Sequence, residues 1–141
     1  MSRRKRRLTK GRRGVATVEL AIVLPAFIAI VFGAIEICQR LHVKQSALIA
    51  AYEACRVASR PVSDTAAVRA HCEILLAQQN VKGATINIRN MDQAKNNLNG
   101  IRTGEEIRIR ITVPWDENTI SHYVIGDFGT TFQVQAFMLR E

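Results

Sequence analysis

The sequence predicts an α+β fold: a long N-terminal transmembrane helix continuing into a small exported domain with a second helix and a three-stranded antiparallel sheet. Three observations carry this. A 24-residue run from Gly14 to Ile37 is almost wholly apolar. Beyond it, apolar residues first recur at helical spacing, and then alternate with polar ones in three separate stretches. The implied organisation is a basic cytoplasmic leader over 1–14, a transmembrane helix over 15–37 and an exported domain over 38–141.

The leader holds eight cations, Arg3, Arg4, Lys5, Arg6, Arg7, Lys10, Arg12 and Arg13, and they account for the whole formal net charge of +8. The other basic residues match the acidic ones in number. A nucleic-acid-binding domain spreads its Lys and Arg over a folded face, whereas here they form one terminal arm, so no nucleic-acid partner is expected. Cations flanking a span resist translocation, which keeps the N-terminus in the cytoplasm and sends the C-terminal part across the membrane.

A helix from Gly14 to Ile37 covers about 36 Å, enough for roughly 30 Å of hydrocarbon with some tilt. A cleaved secretory signal also starts basic, but its apolar centre is only about 7–15 residues long and ends in a small-x-small site. Here the run is longer, contains Pro25, and passes through Glu36-Ile37-Cys38-Gln39 on a continuing helical pattern. The segment reads as an uncleaved span in contact with membrane lipid.

Leu41, Leu48, Tyr52 and Cys55 extend the helical spacing to about Arg60, and Pro61 ends it. Ala47, Ala50, Ala51, Ala54 and Ala58 form a small-residue surface, suited to close approach by another subunit's helix or by the chain's own domain. A second helix starts at Ser63 or Asp64 as N-cap and runs to about Asn80, with Val68, Cys72 and Leu75 on one face. Strands follow by two-residue alternation at Ile86 and Ile88, at Ile107, Ile109, Ile111 and Val113, and at Phe132, Val134, Ala136 and Met138. The stretch from Asn90 to Gly104 reads as a polar loop.

A hairpin of the two helices turning near Val62 sets Cys55 and Cys72 at one level on facing apolar sides. Either they bridge, contributing about 3 kcal/mol, or they serve as two buried hydrophobes. His42, His71 and His122 are scattered, and no spacing of His or Cys suits a metal. Asp116, Glu117 and Asn118 lack the spacing of a calcium loop and read as a turn. No nucleophile elbow, phosphate-cradling loop or catalytic carboxylate pair stands out, so the expectation is a protein without enzymatic activity and without a cofactor.

Glu19 is the anomaly, because a carboxylate inside the apolar layer costs up to about 3 kcal/mol. It pairs either with Arg12, Arg13 or a lipid amine at headgroup depth, or with a positive group on another subunit. The surrounding Arg12-Arg13-Gly14-Val15-Ala16-Thr17-Val18-Glu19-Leu20 resembles the processing site of type IV prepilins. That resemblance implies cleavage after Gly14, a new amine at Val15, and Glu19 as the assembly contact for a neighbour's amine.

More broadly, RRGVATVELAIVLPAFIAIVFGAIEI resembles the opening of TadE-like proteins, minor pseudopilins of tight-adherence (Flp) pilus systems. The Ala-rich helix with its Glu53-x-x-Arg56 segment, and the strands Ile107 to Trp115 and Val134 to Glu141, are similar to that family as well. Leu20 stands where major Flp pilins carry Tyr, which argues against a major pilin. The resemblance implies a subunit for pilus assembly, adhesion and secretion in the inner membrane. Its implied partners are pilins, fellow pseudopilins, a prepilin peptidase and an inner-membrane platform. The rival reading is a permanently anchored envelope protein whose exported domain binds a ligand or envelope component.

Overall fold

The computed structural model describes residues 12–61, 63–92, 98, 100–119 and 130–141. Helix α1 spans Arg12–Ala58, α2 spans Thr65–Gln78, and the strands are β1 (Thr85–Asn90), β2 (Glu106–Pro114) and β3 (Thr131–Leu139). They form one antiparallel sheet in the order β1-β2-β3. The α+β architecture read from the sequence is therefore the observed one.

Helix α1 is continuous for 47 residues, with Pro25 inside it, but has two unlike halves. Almost every residue from Gly14 to Ile35 is exposed, and apart from Thr17 and Glu19 the exposed side chains are apolar: Ile22 is 71 % accessible and Phe27 61 %. A soluble domain does not leave such a rod in water, and this stretch has the length and composition of a single membrane span. Burial begins at Glu36 and continues through Val43, Ala47, Ala50, Ala51, Ala54, Cys55 and Ala58.

The helical spacing of Leu41, Leu48, Tyr52 and Cys55 does continue α1, but of these four only Cys55 is buried; Leu41, Leu48 and Tyr52 are exposed. The alanines face inward because α1 lies against both α2 and the sheet, where only a methyl-sized side chain fits between closely approaching backbones. Their small-residue surface is thus used within the chain's own domain. Helix α2 buries Val68, Cys72 and Leu76, with Leu75 only partly covered. Its start has Asp64 at the N-cap without a side-chain cap hydrogen bond.

Strand β2 is central and shows strict alternation, with Ile107, Ile109, Ile111 and Val113 all fully buried beneath the helices. Its partners in register are Ile88 and Ile86 on β1 and Ala136 and Val134 on β3. The expected polar loop after Asn90 contributes a core residue, Leu98, whose backbone N–H donates to Thr65 Oγ1 at 2.9 Å. Residues 116–118 form the expected turn, where the Asn118 amide donates to the carbonyls of Lys82 and Pro114.

Candidate functional site

Gly14, Val15 and Glu19 lie on the first turns of α1. A Cβ at Gly14 would meet nothing within 4 Å, so packing does not require glycine there. Glycine in a helix costs about 1 kcal/mol relative to alanine, and the first turn lacks intrahelical partners for its N–H groups. The Gly14–Val15 peptide lies in the first described turns of α1.

Val15 and Glu19 are four residues apart, hence on one face and about 6 Å apart along the axis. Glu19 is exposed among Val15, Val18 and Ile22, which border a shallow apolar recess. No ion pair to Glu19 occurs among the described residues. A pairing with the side chains of Arg12 or Arg13 lies outside the described residues. The described side chains around this carboxylate, Val15, Val18 and Ile22, are all apolar. The other segment singled out by sequence, Glu53-x-x-Arg56, forms an exposed i,i+3 ion pair at 3.6 Å, worth a few tenths of a kcal/mol.

Of the two readings of Cys55 and Cys72, a bridge or two buried hydrophobes, this structure has the second: both thiols are free and buried. Cys55 Sγ donates to Ala136 O at 3.4 Å, while Cys72 Sγ points to Ala50 O at 3.9 Å. Burial pushes the Cys55 thiol up from 9.0 to about 11 and that of Cys72 up to about 12. A raised thiol pKa means that folding favours the protonated form. Its contribution to stability is complete below about pH 9 and is lost as pH rises through about 11 to 12. At pH 8 iodoacetamide is expected to modify exposed Cys38 and to leave Cys55 and Cys72 intact, as read by peptide mass spectrometry. Labelling of all three at equal rates would contradict their burial.

His42 is exposed, His71 half-buried, and His122 lies outside the described residues. Among the described residues no group of His, Cys, Asp or Glu is placed to hold a metal.

An exposed apolar rod carrying one early carboxylate, with its far half seated on a three-stranded sheet, defines a single-pass, membrane-anchored α+β protein. Residues 14–56 match the family described as TadE-like protein. Over this segment the chain is similar to that family, in agreement with the resemblance read from its residues. The match associates the chain with tight-adherence (Flp) pilus systems and with their assembly components in general. It ends inside α1, before the sheet. No curated protein and no solved structure matches the chain.

Proposed function

We propose that this chain is a non-enzymatic, minor pseudopilin-like subunit of a tight-adherence pilus system, held in the inner membrane by α1 with its α+β domain on the far side. The observation that carries the reading is Glu19, a lone carboxylate on an exposed apolar helix, five residues after a glycine that packing does not need, within the TadE-like segment. A prepilin peptidase cuts between Gly14 and Val15 and removes the basic leader. The freed amine of one subunit and Glu19 of the next then neutralise each other in lipid, where an ion pair is screened least. Pilins, fellow pseudopilins and the inner-membrane platform are the partners of that step. The exposed residues Leu41, Leu48, Ile49 and Tyr52 give α1 a second apolar surface, above the membrane, for the same neighbours.

N-terminal sequencing of the protein from its own host tests the cut, and a mature chain starting at Val15 is expected. A chain starting at Met1 or Ser2 favours instead the anchored envelope protein that binds a ligand. The Glu19→Val variant is expected to insert in the membrane normally and to reduce co-assembly with partner subunits on the order of tenfold, equal to about 1.4 kcal/mol. Unchanged crosslinking yield and piliation in that variant would remove Glu19 from the assembly contact.

A further inference from the structure

The sheet's outer face, turned away from the helices, carries three arginines on adjacent strands. Arg89 on β1 stands directly across from Arg108 on β2, and Arg108 is directly across from Phe137 on β3. One row over, Arg110 lies between Asn87 and Gln135. Side chains directly opposed in a sheet have Cβ atoms about 5 Å apart, and like charges in that position repel and destabilise the pair.

Among the described residues no ion pair neutralises this cluster; Glu106, on the same face two residues along β2 from Arg108, stands across from Leu139 and makes no ion pair there. The ion pairs among the described residues are Glu36–Arg40 and Glu53–Arg56, both on α1. The Nε atoms of Arg89 and Arg110 are buried without a hydrogen-bond partner. Phe137 and Leu139, 48 % and 61 % accessible, add an apolar strip along the same edge. A fold that holds three cations together against their repulsion, beside an exposed aromatic ring, is arranged for an anion with an apolar companion.

The height of the face selects the partner. Cys55 hydrogen-bonds to Ala136 of β3, so this level of the sheet lies opposite Cys55, 18 residues beyond Ile37. That is about 27 Å along α1, far above a headgroup layer of roughly 5–7 Å. We propose that the outer face of the sheet docks an acidic segment of a partner protein, its carboxylates received by Arg89, Arg108 and Arg110 and an apolar side chain resting on Phe137. The planar guanidinium fork suits carboxylates bidentately, and Asn87 and Gln135 offer hydrogen bonds beside it. This surface depends on the fold and not on cleavage at Gly14 or on Glu19.

The full chain in non-ionic detergent micelles tests the proposal by melting and by binding. Millimolar citrate is expected to raise the melting temperature relative to sodium chloride of equal ionic strength, because it binds only the folded face. Arg108→Thr is expected to raise the melting temperature of the free chain by about 2–5 °C by relieving the repulsion, and to abolish the citrate effect. If that variant does not fold, Arg110→Gln carries the same comparison. A labelled peptide alternating Glu and Leu is expected to bind, and Arg108→Thr and Phe137→Ala each to weaken it on the order of tenfold.

A lower melting temperature in Arg108→Thr with peptide binding intact makes the arginine structural and overturns the proposal. So does equal binding of a peptide alternating Lys and Leu. Oligodeoxythymidine bound as tightly as the Glu peptide, with Phe137→Ala without effect, makes the face a general polyanion site and overturns the protein partner.

Discussion

Replacing Arg140 with methionine is expected to destabilise the α+β domain by about 3 kcal/mol, although the residue lies next to the C-terminal position and touches neither Glu19 nor the arginine face. Arg140 is 8 % exposed. Its Nη1 donates to Ala58 O at 3.0 Å and to Ser63 Oγ at 3.2 Å, and Nη2 donates to Pro61 O at 2.6 Å. These acceptors are the last carbonyl of α1 and the connection to α2, groups that a helix end leaves without partners and that carry the negative end of its dipole. One cation thus ties the end of β3 to the helix–helix turn, and the backbone adds Glu141 N–H to Ser59 O at 3.0 Å. Methionine keeps most of the volume and strands the acceptors. Arg140→Lys keeps one charge-assisted bond and is expected to fall midway. Urea unfolding in micelles measures both, and a methionine variant with an unchanged midpoint would show that water satisfies those carbonyls equally well.

That clamp was illegible in the sequence, where Arg140 is one basic residue among twenty. What was legible follows strong, simple patterns. The span announces itself by length, and the strands by alternation, most clearly in Ile107 to Val113, where every second residue is fully buried. The alanine surface of α1 was legible as a packing face, but what covers it was not: only the tight space against α2 and the sheet shows that Ala47, Ala50, Ala51 and Ala54 pack within the chain's own domain. Leu98 was hidden in a polar stretch for the opposite reason: a single apolar residue has no period. Gly14, Val15 and Glu19 were singled out by spacing and flanking charge alone. The arginine face required register, since only pairing reveals that Arg89 and Arg108 oppose each other.

Register and packing also expose the contact with the largest expected effect. Where α1 enters the domain, the Glu36 carboxylate, 3 % exposed, accepts from Arg40 Nη2 at 2.8 Å. The Arg40 guanidinium lies 5.4 Å from the ring centre of Trp115, which stacks on Phe132 at 4.2 Å. The pair thus joins the helix to the ends of β2 and β3 and sets how the span leaves the domain. Arg40→Met removes the cation and leaves the carboxylate buried, a change expected to cost about 3–5 kcal/mol. Glu36→Gln is expected to cost less, because Arg40 is 21 % exposed, reaches water and still covers Trp115. The double variant Glu36→Gln with Arg40→Met buries no charge at all and is expected to recover most of the loss. Trp115 is the only tryptophan of the chain, so its fluorescence during thermal unfolding reports on this junction directly. If the double variant melts no higher than Arg40→Met, the arginine acts by packing on Trp115, and the buried charge of Glu36 does not govern the junction.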